Sequence, residues 1–350
     1  MGEKVPEKFA PGSEPHHRRP RYSGKYPRHF AEKYKEHNPA RYGETVTKVS
    51  ASGKTPAGTH RPIMVGEVLG ILAPKPGEVV ADCTLGFGGH ATEILPLIQA
   101  GGLLIGLDAD PIELPKTQAR LRALGFGEAT FQGIRSNFAG LPKVLASLNI
   151  PVVNAVFADL GVSSMQLDDP SRGFSFKFEG PLDMRMNPQR GQSASALVQK
   201  ISEEALTSML AGNADEPHAK VIATAVAGKT FRTTTTLART IRDALPRVAK
   251  DEQNNSIRRV FQALRIVVNE EFSALDALLR ALPGVLKAGG RAVIITFHSG
   301  EDRRVKKAFE AGLAAGLYCD IARELVRPTA TERHANPRSA PAKLRWAIRA

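Results

Sequence analysis

Ala81-Asp82-Cys83-Thr84-Leu85-Gly86-Phe87-Gly88-Gly89-His90 is the stretch of sequence that decides the fold. It follows an apolar run, Glu78 to Asp82, that predicts a buried strand, and it leads into a helical pattern from His90 to Ala100. Glycines at such a turn let the backbone approach a ligand closely, and Asp108 ends the next predicted strand, where a carboxylate can accept both hydroxyls of a ribose. This order of elements predicts a site for an adenosine-containing cofactor.

The position of Asp82 separates two classes of cofactor. In the register of the dinucleotide fingerprint, Gly86 and Gly88 supply the first two glycines and Ala91 takes the third place. Asp82 would repel a pyrophosphate in this turn, whereas it would attract a cationic sulfonium that carries an amino-acid tail. The sequence therefore favours S-adenosylmethionine over NAD, and an NAD oxidoreductase ranks last among the alternatives.

Strand-like and helix-like segments alternate on both sides of this turn, which predicts βαβ units and a parallel sheet in an α/β fold. The predicted strands are residues 78–82, 103–108, 129–132, 154–159 and 291–297, with a last alternating run at Leu344, Trp346 and Ile348. The predicted helices are residues 63–72, 90–100, 112–124, 257–282 and about 301–315.

The alternation stops between two parts of the chain, residues 60–165 and residues 257–350. A long loop and helical patterns at residues 193–210, 218–227 and 237–245 fill the gap, so we predict a mainly helical insertion at residues 166–256. Residues 1–59 are rich in Pro, Gly, Lys, Arg, His and Tyr without apolar periodicity, which predicts a basic arm that is disordered or loosely attached.

Charge and composition limit the class of protein. The 350 residues include 48 Lys and Arg against 35 Asp and Glu, a net charge of +13 that is concentrated at the two ends. This distribution indicates a polyanionic partner, most plausibly nucleic acid, although such ends can also serve only to keep a protein in solution. Apolar runs are far shorter than the roughly 18 residues that cross a bilayer, which excludes a membrane-spanning protein.

The two cysteines, Cys83 and Cys319, form neither a disulfide framework nor a cluster with metal-ligand spacing. We therefore predict no metal site and a reducing, cytoplasmic environment. The first twenty residues show no signal-peptide pattern, so we expect an untargeted chain.

A second motif, Asp159 to Asp169, begins where the predicted strand 154–159 ends. The carboxyl ends of central parallel strands face the ligand crevice, which places Asp159 near the reacting atoms. Capping of a loop or helix is the alternative role for this acid.

Long motifs in one order resemble the ribosomal RNA small subunit methyltransferase H family, also called MraW, from about His60 onward. They are residues 82–90, 159–169, Arg172-Gly173-Phe174-Ser175-Phe176, 180–186, 190–194, 261–269, Phe297-His298-Ser299 and Glu301-Asp302-Arg303. Residues 1–55 lie outside this resemblance. Two departures are Cys83-Thr84-Leu85 in place of the family's Gly-Thr-Phe, and Gly300 in place of a leucine.

The resemblance implies a Rossmann-like class I methyltransferase fold whose insertion recognises RNA. It also implies methyl transfer from S-adenosylmethionine to N4 of one cytosine in the decoding region of small-subunit (16S) ribosomal RNA, as free RNA or in the assembled subunit. The oligomeric state stays open. The cofactor-binding residues expected from the turn and the resemblance are Asp82, Gly88, Gly89, His90, Asp108, Phe138, Asp159 and Gln166.

Catalytic and RNA-binding residues complete the expectations. Asp159 is the main candidate for stabilising or accepting charge from the amine, and His298 is a second proton acceptor that could equally be a helix cap. Basic residues near aromatic ones, or on the outer face of the predicted helix 257–282, are candidates for RNA contacts. They are Arg172, Arg185, Arg190, Arg258 and Arg265.

Two further alternatives remain open at this point. One is an RNA-binding or assembly factor without catalytic activity, which would have little reason to keep four polar groups at the cofactor positions. The other is an amino-methyltransferase acting on DNA or protein, but Leu160-Gly161-Val162 is not the Pro-Pro-aromatic motif common in enzymes that methylate base amines.

Overall fold

The structure is a computed structural model, and it describes residues 62–350. The arm predicted at residues 1–59 lies outside the described residues. Among those described, no helix is both long and apolar enough to cross a membrane.

A seven-stranded sheet forms the centre of the fold, in the order β3-β2-β1-β4-β5-β7-β6. The strands are β1 Val79–Asp82, β2 Leu103–Asp108, β3 Phe131–Arg135, β4 Val153–Asp159, β5 Leu286–Thr296, β6 Tyr318–Ile321 and β7 Lys343–Arg349. β7 runs antiparallel to both of its neighbours, while the pairs from β3 to β5 are parallel. This order, with one reversed strand, is that of a Rossmann-like class I methyltransferase, as predicted.

Helices cover both faces of the sheet. They are α1 Val65–Leu72, α2 Gly89–Ile98, α3 Glu113–Ala123, α4 Leu141–Ser147, α5 Ser164–Asp168, α6 Ala194–Lys200, α7 Glu203–Ala214, α8 Ala219–Val226, α9 Thr234–Ala244, α10 Lys250–Val268, α11 Glu271–Val285, α12 Ser299–Ala314 and α13 Ala330–Ala335. The apolar sides of α1, α2 and α3 pack on one face, and those of α4, α11 and α12 pack on the other. The strands are buried between these layers, which explains their nearly continuous apolar sequences.

A separate apolar core joins the helices between β4 and α11. It runs from Phe174 to Leu264 and includes the buried sides of α6 to α10. Serine and threonine side chains cap several of these helices: Ser193, Ser202 and Thr233 each accept a hydrogen bond from a backbone N–H in the first turn. Residues 166–256 hold α6 to α9 and the start of α10, and the helical core continues along α10 beyond residue 256.

The single helix predicted at residues 257–282 is wrong. α10 ends at Val268 and α11 begins at Glu271, because Glu270 adopts a left-handed conformation with φ of 53°. α10 belongs to the helical core, whereas α11 packs on the sheet. The turn between α10 and α11 therefore marks the point where the chain passes from the helical core to the core beside the sheet.

Other boundaries shifted as well. The helical pattern at residues 193–210 is two helices, because Ser202 caps a new one. The strand predicted at residues 129–132 begins two residues later, at Phe131. The short elements β6, α4, α5 and α13 had no counterpart in the predictions.

Candidate active site

One cavity of about 670 Å³ opens at the carboxyl ends of β1, β2 and β4. Its volume lies within the range of about 300–1,000 Å³ that is typical of small-molecule sites. The turn after β1, the acids that end β2 and β4, and the first residues of α11 and α12 all contribute to its wall. We call it the central cavity.

The turn after β1 is shaped by glycines with positive φ. Gly86 lines the central cavity at φ of 49°, and a Cβ there would meet only the Thr84 carbonyl oxygen, 3.8 Å away. Gly88, at φ of 73°, caps α2, and a Cβ there would lie 2.9 Å from the Thr117 Cγ2 atom. Thr117 also donates from Oγ1 to the Gly86 carbonyl at 2.6 Å. Gly86 thus gives a ligand close access to the backbone, while Gly88 has a packing role and does not line the cavity.

Asp108 is held rigidly at the end of β2. Its Oδ2 atom accepts a hydrogen bond from the Gly86 N–H at 2.9 Å, and its Oδ1 atom accepts one from the Asp110 N–H at 2.8 Å. Burial, with the nearby charge of Asp110, raises the pKa of Asp108 to about 6 despite these hydrogen bonds. A carboxylate fixed in this way, with lone pairs left on both oxygens, can accept two ligand hydroxyls.

Asp159 ends β4 and has an unusual environment. Its Oδ1 atom is buried and has no hydrogen-bond partner among the described residues. Burial raises its pKa to about 8, and the charges of Asp82 and Glu301 add to the increase. Thr84 fixes the backbone here, because its Oγ1 atom accepts a hydrogen bond from the Asp159 N–H at 2.6 Å. An unpartnered buried carboxylate oxygen is costly, so it indicates a position that a ligand completes.

His90 stands beside this acid, at the start of α2. Its Nδ1 atom lies 3.8 Å from the Asp159 Oδ2 atom, and its Nε2 atom lies 2.9 Å from the Ile63 carbonyl oxygen. The imidazole ring packs at 4.5 Å from the ring of Phe157. His90 therefore forms part of the cavity wall beside Asp159.

Asp82, the last residue of β1, lies next to the cavity wall but does not form part of it. Its side chain is almost fully buried, and its Oδ1 atom accepts a hydrogen bond from the Thr84 N–H at 3.0 Å. Burial raises its pKa to about 7, and the charge of Asp108 adds to the increase. Asp82 does not line the cavity, so its effect on a ligand is electrostatic and passes through the turn that it braces.

The remaining predicted cofactor residues, Gly89, Phe138 and Gln166, all line the central cavity. Gln166 is already engaged: its Oε1 atom accepts from the Ser163 N–H at 3.0 Å, and its Nε2 atom donates to the Asp110 Oδ2 atom at 2.8 Å. Sequence reasoning missed Asp110, which is fully buried. The D-x-D spacing after β2 is the signal that could have identified it.

His298 is a helix cap and does not line the central cavity. Its side chain accepts a hydrogen bond from the Glu301 N–H at the start of α12, and its Nε2 atom lies 3.3 Å from the Glu301 Oε1 atom. Glu301 does line the cavity. Burial alone would raise the pKa of Glu301, but the hydrogen bond and charge of His298 and the charge of Arg265 hold it below its ordinary value. The geometry thus gives His298 a positioning role through Glu301 and does not support direct proton removal.

Glu271, His298 and Glu301 also bring three potential metal-ligand atoms within 4.8 Å of one another. Glu271, however, already binds Arg265 through both oxygens, at 2.8 Å and 2.9 Å. The guanidinium supplies the positive charge that this cluster needs.

The five arginines predicted to contact RNA separate into three groups. Arg172 is buried and makes an ion pair with Asp110 at 2.8 Å, so the prediction that it contacts RNA is wrong: its guanidinium is used inside the protein. Arg185 donates two hydrogen bonds to the carboxylate of Asp183, and Arg190 is exposed on the same loop. Arg258 and Arg265 both line the central cavity, seven residues apart on α10.

Comparison with known proteins shows which family the chain resembles. The family model described as the MraW methylase family matches residues 57–350. Ribosomal RNA small subunit methyltransferase H 2 of Alkaliphilus metalliredigens is 48% identical over 342 residues, which cover 95% of this chain and 97% of that protein. Ribosomal RNA small subunit methyltransferase H 1 of Lachnoclostridium phytofermentans is 46% identical over 344 residues, with 96% and 93% covered.

A third relative, ribosomal RNA small subunit methyltransferase H of Myxococcus xanthus, is 42% identical over 301 residues, with 82% of this chain and 96% of that protein covered. The alignments to the first two relatives include most of residues 1–55, so the prediction that this segment lies outside the resemblance is wrong for them. Among solved structures, an rRNA methylase from Streptococcus thermophilus is 13% identical, covers 81% of this chain and 93% of that chain, and has a TM-score of 0.37. The chain belongs to the MraW methylase family.

Proposed function

We propose that this protein is an S-adenosylmethionine-dependent methyltransferase that acts in the cytoplasm on N4 of a cytosine in small-subunit (16S) ribosomal RNA. Family membership supports the reaction class and the substrate class. The single structural observation that carries the proposal is the unpartnered Asp159 Oδ1 atom, buried at the wall of a ligand-sized cavity.

The residues of the central cavity fit S-adenosylmethionine. The Gly86 turn leaves space for close approach to the backbone, Asp108 offers fixed acceptors for ribose hydroxyls, and Phe138 offers an apolar wall for adenine. Three carboxylates with raised pKa values, Asp82, Asp108 and Asp159, lie at one edge of the sheet. A cationic ligand favours their ionised forms, whereas a pyrophosphate would be repelled.

S-adenosylmethionine supplies an electrophilic methyl group when it is bound. The protein's own task concerns the acceptor, because the lone pair of cytosine N4 is delocalised into the ring and makes a poor nucleophile. Attack places positive charge on N4, and a proton must then leave. Asp159, in its ionised form, can hold the amine in line and stabilise this charge, with the backbone carbonyls that follow it as further acceptors.

The RNA reaches this site from the side of α10. A stacked cytosine cannot present N4 to a buried cavity, so the target must be single-stranded or flipped out. Arg258 lies where it could contact a phosphate beside a flipped nucleotide, and exposed Arg190 and the Arg185 loop extend the basic surface. The Arg265 guanidinium also lines the cavity, but it is bound to Glu271. Free RNA and the assembled small subunit both remain candidate substrates.

The loss of stability caused by the buried Asp159 carboxylate argues against the alternative of an RNA-binding factor without catalytic activity. Burying Asp159 with one oxygen unpartnered lowers stability, and a protein that only binds RNA gains nothing from it. The Arg265–Glu271 pair could serve either class and does not discriminate between them.

The test combines RNA mapping with reconstitution. Methylated cytosines are mapped in small-subunit ribosomal RNA from cells with and without this protein, and RNA from the deficient cells is then incubated with purified protein and labelled donor. We expect one N4-methylated cytosine to disappear in the deficient cells and to return in the reconstituted reaction. Unchanged methylation in the cells, together with no transfer in vitro, would refute the proposal.

A further inference from the structure

Asp110 is the centre of a buried hydrogen-bond network that connects the two sides of the central cavity. Its Oδ1 atom accepts from the Ile112 N–H at 2.9 Å. Its Oδ2 atom accepts from the Gln166 Nε2 and the Arg172 Nη1 atoms, each at 2.8 Å. We call the side chains of Asp110, Ser163, Gln166 and Arg172 the Asp110 network.

On the donor side, the network is attached directly to Asp108, because the Asp110 N–H donates to the Asp108 Oδ1 atom. It also fixes the loop after Asp159. Gln166 and Ser163 form a reciprocal capping box, in which the Gln166 N–H donates to the Ser163 Oγ atom at 3.2 Å and the Ser163 N–H donates to the Gln166 amide oxygen. Asp110 is therefore joined to Asp108 through its backbone N–H, and through its carboxylate and Gln166 it holds the loop that follows Asp159.

On the substrate side, Arg172 carries the connection into the helical core. Its Nη2 atom donates to the Met186 carbonyl at 2.9 Å and to the Arg185 carbonyl at 3.2 Å. Asn269, in the break between α10 and α11, holds the same loop: it accepts from the Met186 N–H at 2.7 Å and donates to the Met184 carbonyl at 2.8 Å. Met186 and Asn269 both line the central cavity.

The energetics indicate a positioning purpose. A buried ion pair is weak support for stability, because desolvation of both charges offsets their attraction, and an apolar pair of similar volume often does as well. What the charged network adds is fixed geometry, because a planar guanidinium must meet one carboxylate and two carbonyls at once. The geometry that it fixes belongs to two binding sites at the same time.

We infer that the Asp110–Arg172 ion pair couples donor binding to the placement of the substrate-side loop, residues 183–192, so that donor and RNA bind cooperatively. The inference rests on the proposed function. A ligand held by Asp108 restrains Asp110, which then holds Arg172 and the carbonyls of Arg185 and Met186 in position for the incoming nucleotide. Thermodynamic linkage requires the effect to be reciprocal, so bound RNA strengthens donor binding by the same factor.

The experiment measures this factor with S-adenosylhomocysteine as the probe, because it occupies a donor site without transferring a methyl group. Binding of a decoding-region RNA fragment is measured with and without the probe, and probe binding is measured with and without the RNA. For the wild-type chain we expect mutual strengthening within the usual range of coupling, about 5- to 150-fold.

The variants are Arg172→Met, Asp110→Asn and the double substitution, and each should reduce the coupling to below about twofold, because the ligands then no longer bias a shared arrangement. The double variant should lose no more coupling than either single one. Arg172→Lys keeps the charge but cannot reach all three acceptors, so it should lose much of the coupling while it retains the ion pair. Methyl transfer should show a raised RNA KM with a smaller change in kcat.

Arg291→Met is the matched control. Arg291 makes a similarly buried pair with Glu78 before β1, at the opposite end of the sheet, so its loss should lower thermal stability and leave the coupling at the wild-type value. If Arg291→Met loses as much coupling as Arg172→Met, the effect is general destabilisation and the inference is overturned. Wild-type coupling in both Arg172→Met and Asp110→Asn would also overturn it.

Hydrogen exchange on the wild-type chain covers the case in which these variants fail to fold. S-adenosylhomocysteine should slow amide exchange in residues 183–192, where the Met184 N–H donates to the Arg172 carbonyl and the Met186 N–H donates to Asn269. Probe binding without slower exchange there would overturn the inference while methyl transfer still supports the proposed function. A wild-type chain that neither binds the probe nor transfers methyl groups would overturn both.

Discussion

The pKa values of the buried acids shift in opposite directions at the two ends of the central sheet. At the amino end, Glu78 accepts hydrogen bonds from Arg291 and from the Lys75 N–H, and it lies 3.3 Å from the Asn154 amide. Burial alone would raise its pKa, yet these hydrogen bonds and the charge of Arg291 hold the pKa below its ordinary value. At the carboxyl end, burial raises the pKa of Asp82 to about 7 and that of Asp159 to about 8.

The difference shows what each end contributes. Glu78 is satisfied within the folded chain, so it stabilises the fold and has nothing left to offer a ligand. The acids at the carboxyl end are desolvated and repel one another, which costs stability in the unliganded protein and prepares the site for a cation. Substitutions at the two ends should therefore affect different measurements.

Asp159→Asn should have the largest effect. It keeps the shape of the side chain and one acceptor oxygen but removes the negative charge, so turnover at saturating donor should fall on the order of a hundredfold or more. Asp169→Asn, on an adjacent loop, is the control. Methyl transfer is timed together with donor and RNA affinity. A wild-type rate in Asp159→Asn would contradict the assigned role and leave a backbone carbonyl as the leading acceptor.

Asp108→Ala should weaken donor binding by about 1.5–3 kcal/mol, the usual range for hydrogen bonds to a charged group. The ribose hydroxyls then lose their acceptor, and the Gly86 and Asp110 N–H groups lose theirs. Calorimetry with S-adenosylhomocysteine measures the change, with Asp276→Ala on α11 as the control. Unchanged affinity would remove Asp108 from the donor site.

Glu78→Gln tests the opposite end of the sheet. It removes the charge that pairs with Arg291, so the free energy of unfolding should fall by about 2 kcal/mol, within the range for charge-assisted hydrogen bonds. Glu93→Gln, at an exposed position of α2, should change it by less than about 0.5 kcal/mol. Denaturant unfolding measures both, and donor affinity should stay at the wild-type value. A loss of donor affinity without a loss of stability would contradict the comparison.

The pH dependence of donor binding tests the carboxyl end of the sheet without any substitution. The free protein holds a proton on Asp159 up to about pH 8, and a bound cation favours the ionised form, so binding releases a proton. Affinity should then rise between pH 6 and pH 8, by at most about tenfold per pH unit for one proton. Calorimetry in buffers of different ionisation enthalpy counts the proton. Proton uptake would contradict the raised pKa.

The same raised pKa has a consequence for stability. Between about pH 4 and pH 8 the folded state binds more protons at Asp159 than the unfolded chain does, so stability falls as the pH rises through this window. Asp159→Asn removes this penalty. The variant should therefore gain thermal stability relative to the wild-type chain at pH 8, and the gain should shrink toward pH 5.

The sequence predicted those parts of the molecule whose signals are local. Short apolar runs in the sequence located β1, β2 and β4 to within about one residue. Once each strand was located, the aspartate at its carboxyl end was identified as well. The break after Asn269 was missed because the apolar spacing continues through it from Phe261 to Leu275. Neither glycine nor proline marks the left-handed Glu270.

The role of Arg172 could not be predicted from its neighbours in the sequence. Its partner, Asp110, is 62 residues earlier in the chain, and only the fold brings the two together. A basic residue beside Phe174 and Phe176 is equally typical of an RNA-binding groove. His298 illustrates the same limit. Whether it caps α12 or lines the cavity depends on the direction of its side chain, which the sequence does not give.

The pairing of β4 with β5 also determines when the protein can fold during synthesis. β4 ends at Asp159 and β5 begins at Leu286, so residues 160–285, including the whole helical core, leave the ribosome before the sheet can be extended. Until then the apolar edge of β4 is uncovered, and long-range pairing of this kind folds slowly and is exposed to aggregation. The helical core, which is built largely from residues close together in sequence, can form first and keep the chain compact while β4 waits for its partner.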